Sequence, residues 1–140
     1  MNYSITNLTE VADCNVLLSW AAKEKADLDF KRLSDERLTA RYTATSEEIN
    51  ADLQGVLAEI SATETIIAAL PDGPSKEDAI NKRTRLEYKK FLLETRRESY
   101  GTVALLEKEM DLARVIQELT EVEAFISTVK TRKVELEAQT

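Results

Sequence analysis

Apolar residues recur at alternating spacings of four and three in the first half of the chain, with one position filled by threonine. The clearest run comprises Ile49, Leu53, Val56, Ile60, Thr63, Ile67 and Leu70. This spacing places side chains on one face of an α-helix, as in a coiled coil. The helical pattern begins near Leu8, where Asn7 and Glu10 fit a capping box. The pattern therefore predicts a first helical arm over about residues 8–70.

A second helical pattern fills the other half of the chain. Its face consists of Leu105, Lys108, Leu112, Val115, Leu119, Val122, Ile126, Val129, Lys133 and Leu136. Between the two patterns lies the sequence Pro-Asp-Gly-Pro at 71–74, where proline ends a helix and Asp-Gly favours a tight turn. We therefore expect a second arm over about 75–138, with Ser75 as its N-cap, and a single helical domain over 1–140.

Charge supports an antiparallel pairing about this turn. Residues 48–69 contain four acidic and no basic residues, whereas residues 76–97 contain eight basic and four acidic residues. A net charge of −4 thus faces a net charge of +4, which favours this register more than it stabilises the fold. The same register places Trp20 beside Phe125.

Two architectures satisfy this pairing. The Thr/Ser-rich stretch 41–48 and the stretch around Gly101 are weak helix formers and lie at the same level of the two arms. If the arms are continuous, the chain is all-α, a long antiparallel helical hairpin with arms of about 60 residues, ~90 Å each. If both arms break at this level, the tip folds back into a four-helix bundle. We expect the hairpin.

The second arm carries more apolar residues than a two-helix seam can bury. Outside the main stripe lie Val103, Leu106, Met110, Ala113, Ile116 and Phe125. A second copy, in a two-fold dimer, would cover this wide face. The residues expected at such an interface are Leu112, Ile116, Leu119, Val122, Phe125 and Ile126.

Composition narrows the function classes. The chain of 140 residues has a net charge of −7, no histidine and one cysteine, Cys14. The acidic charge disfavours nucleic acid and anionic lipid as partners, and the lack of histidine removes the commonest general base and metal ligand. No apolar run is long enough to span a membrane, and no signal peptide is expected. We expect no cofactor, no metal and a cytoplasmic location.

The leading interpretation is a non-enzymatic helical scaffold or protein-interaction module that self-associates. One alternative is a nucleic-acid or phosphate-binding module that uses the basic segment 82–97. Its contacts would be Lys82, Arg83, Arg85, Lys89 and Lys90, with Tyr88 available for stacking. The other alternative is an all-helical enzyme with an Arg/Lys/Glu active site.

Overall fold

The chain folds into helices alone. A computed structural model describes all residues, Met1–Thr140. A short 3₁₀ helix, Ile5–Asn7, precedes three α-helices: α1 (Val11–Ala69), α2 (Pro74–Tyr100) and α3 (Thr102–Ala138). This confirms the all-α helical hairpin, with α1 as the first arm and with α2 and α3 as the second. None of the helices is long and apolar enough to cross a membrane.

The helices form two compact units. One, the terminal unit, comprises Met1–Arg37 and Met110–Thr140; the other, the turn unit, is Leu38–Glu109. In each unit a part of α1 packs against the returning chain. The single domain over 1–140 stays a prediction.

The core of the turn unit lies between α1 and α2. It joins Leu53, Val56 and Ile60 of α1 to Leu86 and Leu93 of α2, all at most 9% exposed. The apolar stripe read from the sequence is therefore the buried face of α1. Burial of such a side chain contributes about 1.5–3 kcal/mol, so five of them outweigh any surface ion pair.

The core of the terminal unit lies between the start of α1 and the end of α3. Cys14, Val129 and Leu136 are its most buried residues; packed around them are Ile5, Leu8, Val11, Leu17, Leu18 and Phe125. The rings of Trp20 and Phe125 meet edge to face, with centroids 6.0 Å apart. The contact that the register predicted between these two residues is confirmed.

The start of α1 differs from the predicted capping box. Asn7 is the last residue of the 3₁₀ helix. The first backbone hydrogen bond of α1 runs from the amide N–H of Cys14 to the carbonyl oxygen of Glu10. The carbonyl oxygen of Leu8 accepts hydrogen bonds from the Arg132 guanidinium, at 3.0 Å from Nε and 2.8 Å from Nη2. Arg132 of α3 thus binds the backbone of Leu8, a residue that the predicted capping box would have placed inside α1.

The turn between the arms also differs at its end. Gly73, not Ser75, occupies the N-cap of α2, and Pro74 is the first helical residue. Gly73 has a φ of 152°, a backbone conformation that residues with a Cβ rarely adopt. Proline at the first helical position costs no hydrogen bond, because that amide has no partner inside the helix.

Only one of the two expected weak points is a break. α1 continues without interruption through 41–48, where the hydroxyl of Thr43 donates to the carbonyl oxygen of Thr39 at 3.0 Å. α2 ends at Tyr100, and α3 begins at Thr102. The fold-back four-helix bundle requires a break in both arms, and α1 has none.

The break at Gly101 leaves no room for a side chain. Gly101 is buried, and its φ of −84° and ψ of −164° are extended. A Cβ at this residue would overlap the carbonyl oxygen of Arg97 and lie 2.6 Å from its Cγ. Gly101 is therefore needed here for its lack of a side chain.

The two glycines of the arms should respond oppositely to alanine. Gly55 lies exposed inside α1 with no atom near its missing Cβ, so Gly55→Ala should raise the free energy of unfolding by about 0.5–1 kcal/mol. Gly101→Ala should lower it by about 1–3 kcal/mol, because the new methyl group overlaps Arg97.

Denaturant unfolding followed by circular dichroism would measure both effects, and Gly55→Ala serves as the matched control. If Gly101→Ala stabilised the protein as Gly55→Ala does, α2 and α3 would form one continuous helix in solution.

Candidate interaction surfaces

The six residues predicted for an interface on α3 differ in accessibility. Leu119 is 4% exposed and belongs to the interior, whereas Ile116 is 44% exposed. The remaining four, Leu112, Val122, Phe125 and Ile126, are half-buried. Ile116 is therefore the member of the set that offers most of its surface to a partner, and its role in an interface stays a prediction.

Phe125 is engaged within its own chain. The ring of Tyr3 packs against it edge to face at 5.1 Å, in addition to the Trp20 contact. The hydroxyl of Tyr3 donates a hydrogen bond to a carboxylate oxygen of Glu121. These contacts dock the N-terminal tail on α3.

Other large apolar side chains of the terminal unit are exposed. They include Val16, Trp20, Phe30, Met110 and Val134, each more than half exposed. Sequence analysis missed Val16 and Phe30 on α1, because the stripe used to define that arm lies farther along the chain. An open depression of about 350 Å³ also lies in this unit, lined by Leu18, Ala22, Lys25, Ala26, Asp29, Ile126 and Lys130. Beside it, Lys25 pairs with Glu123 at 3.6 Å.

The predicted polyanion contacts all lie on α2. Lys82, Arg85 and Lys89 are exposed, whereas Arg83 and Lys90 are half-buried. Of the five, only Lys90 forms an ion pair, with Glu94 at 3.9 Å. No ion pair within 4 Å joins the acidic segment 48–69 to the basic segment 76–97. The two segments are neighbours, as their charge predicted, but apolar contacts join them.

Aromatic side chains accompany these cations on the surface. Tyr88 is 63% and Phe91 is 61% exposed, and Leu92 lies beside them at 48%. Sequence analysis noted Tyr88 alone. The helical spacing of Phe91 and Leu92, three and four residues after Tyr88, was a signal that would have found the whole group.

Charged residues of the turn unit line an open depression. An open depression of the turn unit, about 750 Å³, is lined by Asn50, Glu94, Arg97, Glu98, Thr102 and Val103. Lys108 lies over the ring of Tyr42, 5.6 Å from its centroid, and this cation–π contact accounts for a cation on the apolar stripe of α3. No three Asp, Glu, Cys or His residues are grouped to hold a metal ion. Cys14 is fully buried.

Comparison with known proteins identifies no relative: no family model, no curated protein and no solved structure matches the chain.

The hydrogen bond between Tyr3 and Glu121 should be visible in an alkaline titration. It raises the pKa of Tyr3 above the ordinary value of 10.0, chiefly because the carboxylate accepts a hydrogen bond from the neutral phenol. Burial and the negative charge of the carboxylate raise the pKa further, because both disfavour the phenolate. The contact therefore stabilises the docked tail below pH 10 and is lost as the pH rises through the raised pKa of Tyr3.

The ultraviolet difference between wild type and Tyr3→Phe isolates this titration. Glu121→Gln should shift it toward lower pH, and Glu118→Gln, a control on the same helix, should leave it unchanged. A Tyr3 titration that does not respond to Glu121→Gln would show that the tail is not docked in solution.

Proposed function

We propose that this protein is a non-enzymatic helical interaction module that binds its own copies or another protein. The observation that carries the proposal is the set of large apolar side chains left outside the cores. Val16, Phe30, Tyr88, Phe91 and Val103 are among the most exposed of them, each above 60%. Exposed apolar groups of this size, when they lie close together, are typical of surfaces that a partner covers.

The interface we propose in the terminal unit is centred on Ile116. This side chain is 44% exposed, and half-buried Leu112 precedes it by one turn of α3. Two copies related by a two-fold axis would bury Ile116 against its counterpart, with the half-buried members of the predicted set at the margin. Leu119, at 4% exposed, would support this face from inside.

The chemistry of the chain supports binding rather than catalysis. It has no histidine, and its one thiol, Cys14, is fully buried and so not placed for nucleophilic attack. A reduced, buried cysteine also suits a cytoplasmic location, which belongs to this proposal.

Ile116→Asp should weaken self-association. A hot-spot residue at the centre of an interface costs at least about 2 kcal/mol when it is removed, so with Ile116 in that role the dissociation constant of the dimer should rise about thirtyfold or more. Sedimentation equilibrium measures this constant, and circular dichroism checks that helix content is kept. Val134→Asp is the matched control, because Val134 lies on the same side of α3, about five turns farther along, and is 63% exposed.

The proposed function would be wrong if the wild type were monomeric at high micromolar concentration and retained no protein partner in a pull-down. A dimer that Ile116→Asp and Val134→Asp weaken equally would show that the interface is not centred on Ile116.

A further inference from the structure

The outward face of α2 in the turn unit is apolar and aromatic. Leu86 and Leu93 of this helix are buried against α1, at 8% and 9% exposed. Tyr88, Phe91 and Leu92 lie on the opposite side, 63%, 61% and 48% exposed. Because residues three and four apart share a helix face, the three side chains form one continuous surface that the chain leaves uncovered.

Cations line one edge of this surface, on the side of Leu92, and the exposed carboxylate of Glu87 lies on the side of Phe91. Arg85, Lys89 and Arg96 are exposed and form no ion pair within 4 Å, since the ion pairs of α2 are Lys76 with Asp72 and Lys90 with Glu94. An exposed lysine or arginine without a partner is ordinary on a protein surface. Three of them beside two exposed aromatic rings favour an occupant that is both apolar and acidic.

The outward face of α1 in the same unit has the complementary character. Ala51, Gly55, Ala58 and Ala62 are all exposed, and they lie opposite the buried stripe of Leu53, Val56 and Ile60. These small residues leave a shallow uncharged groove along the helix. Acidic side chains border it, and the segment 48–69 has a net charge of −4 with no cation.

We propose that the aromatic face of α2 in one copy docks on the small-residue face of α1 in a second copy. Large side chains facing small ones allow two helices to interdigitate, and the flanking cations would lie near the acids that border the groove. This inference rests on the proposed function, self-association, and adds a second contact to it. A second copy is favoured over a polyanion because its α1 face offers small uncharged side chains beside acids, which suits a surface that is both apolar and cationic.

The contact is heterologous. The two faces point away from the core that α1 and α2 share, so they lie on opposite sides of the turn unit. One contact between two copies leaves an α1 face free at one end and an α2 face free at the other. Association through these faces therefore does not stop at two chains: it gives open chains, or rings where the rotation closes, and its average mass grows with concentration.

Mixing two variants tests this geometry. Both carry Ile116→Asp, which removes the proposed dimer contact. Phe91→Ser disables the α2 face, and Ala58→Lys disables the α1 face by adding bulk and a charge that repels the cations of α2. Each variant alone should lose at least tenfold in association constant relative to the Ile116→Asp parent. Mixed in equal amounts, they should form a complex of two chains and no larger one, because each supplies the face that the other lacks.

Sedimentation velocity distinguishes these species, and circular dichroism verifies that helix content is unchanged. A second α2 variant, Arg85→Glu with Lys89→Glu, keeps every apolar residue and should also lose association. The inference is overturned if the Ile116→Asp parent stays monomeric at high concentration, if either variant associates like the parent, or if the mixture stays monomeric. The proposed function fails on a different result, a wild type that is itself monomeric at high micromolar concentration and retains no protein partner.

A polyanion on the same face gives its own signature. A single-stranded DNA oligonucleotide would then bind the Ile116→Asp parent with an affinity that falls steeply with salt, and Phe91→Ser would weaken it. That result, together with a mixture that stays monomeric, would assign the face to nucleic acid and overturn the contact between copies.

Discussion

The apolar stripe of α1 can leave water only if the chain returns along it, and the rest of the structure depends on that constraint. Within the turn unit the return is made by α2, whose Leu86 and Leu93 complete the core begun by Leu53, Val56 and Ile60. Complementary charge on the two segments adds no ion pair within 4 Å. Because exposed ion pairs contribute about 0–1 kcal/mol each, apolar burial decides the pairing and charge adjusts its register. Gly73, at a φ of 152°, allows the reversal between the two helices.

The features that sequence analysis predicted are those set by periodicity and by helix-breaking residues. The stripe on α1 and the contact between Trp20 and Phe125 follow from helical spacing and one register. The turn near Gly73 follows from the sequence Pro-Asp-Gly-Pro. The failures concern helix ends, where distant groups compete with local signals. The predicted capping box at Asn7 does not form. Instead Arg132, which lies 124 positions after Leu8, binds the carbonyl oxygen of Leu8. No local pattern contains that contact.

The candidate surfaces were less predictable than the fold, for a geometric reason. A wide apolar face on one helix does not say which of its edges the neighbouring helix covers. Leu119 and Ile116 stand three residues apart in the same predicted set, yet one is 4% and the other 44% exposed. This difference in exposure depends on which side of α3 the neighbouring helix packs against, and that is a property of the tertiary structure. Helical spacing indicated that Tyr88, Phe91 and Leu92 share a face of α2, but the sequence alone did not show that the chain leaves this face uncovered.

A unit only two helices thick has little interior in which to build a site. Each helix has one face toward its neighbour and one toward solvent, so polar groups stay hydrated and pockets stay open, as the depressions in both units do. Catalysis gains most from groups held in an environment that excludes water, and such an environment needs a third or fourth wall. A second copy or a partner helix would supply that wall. Under the proposed function, binding specificity resides on the exposed apolar faces of α1, α2 and α3, and the pattern of large, small and charged residues on each face would determine which helices fit it.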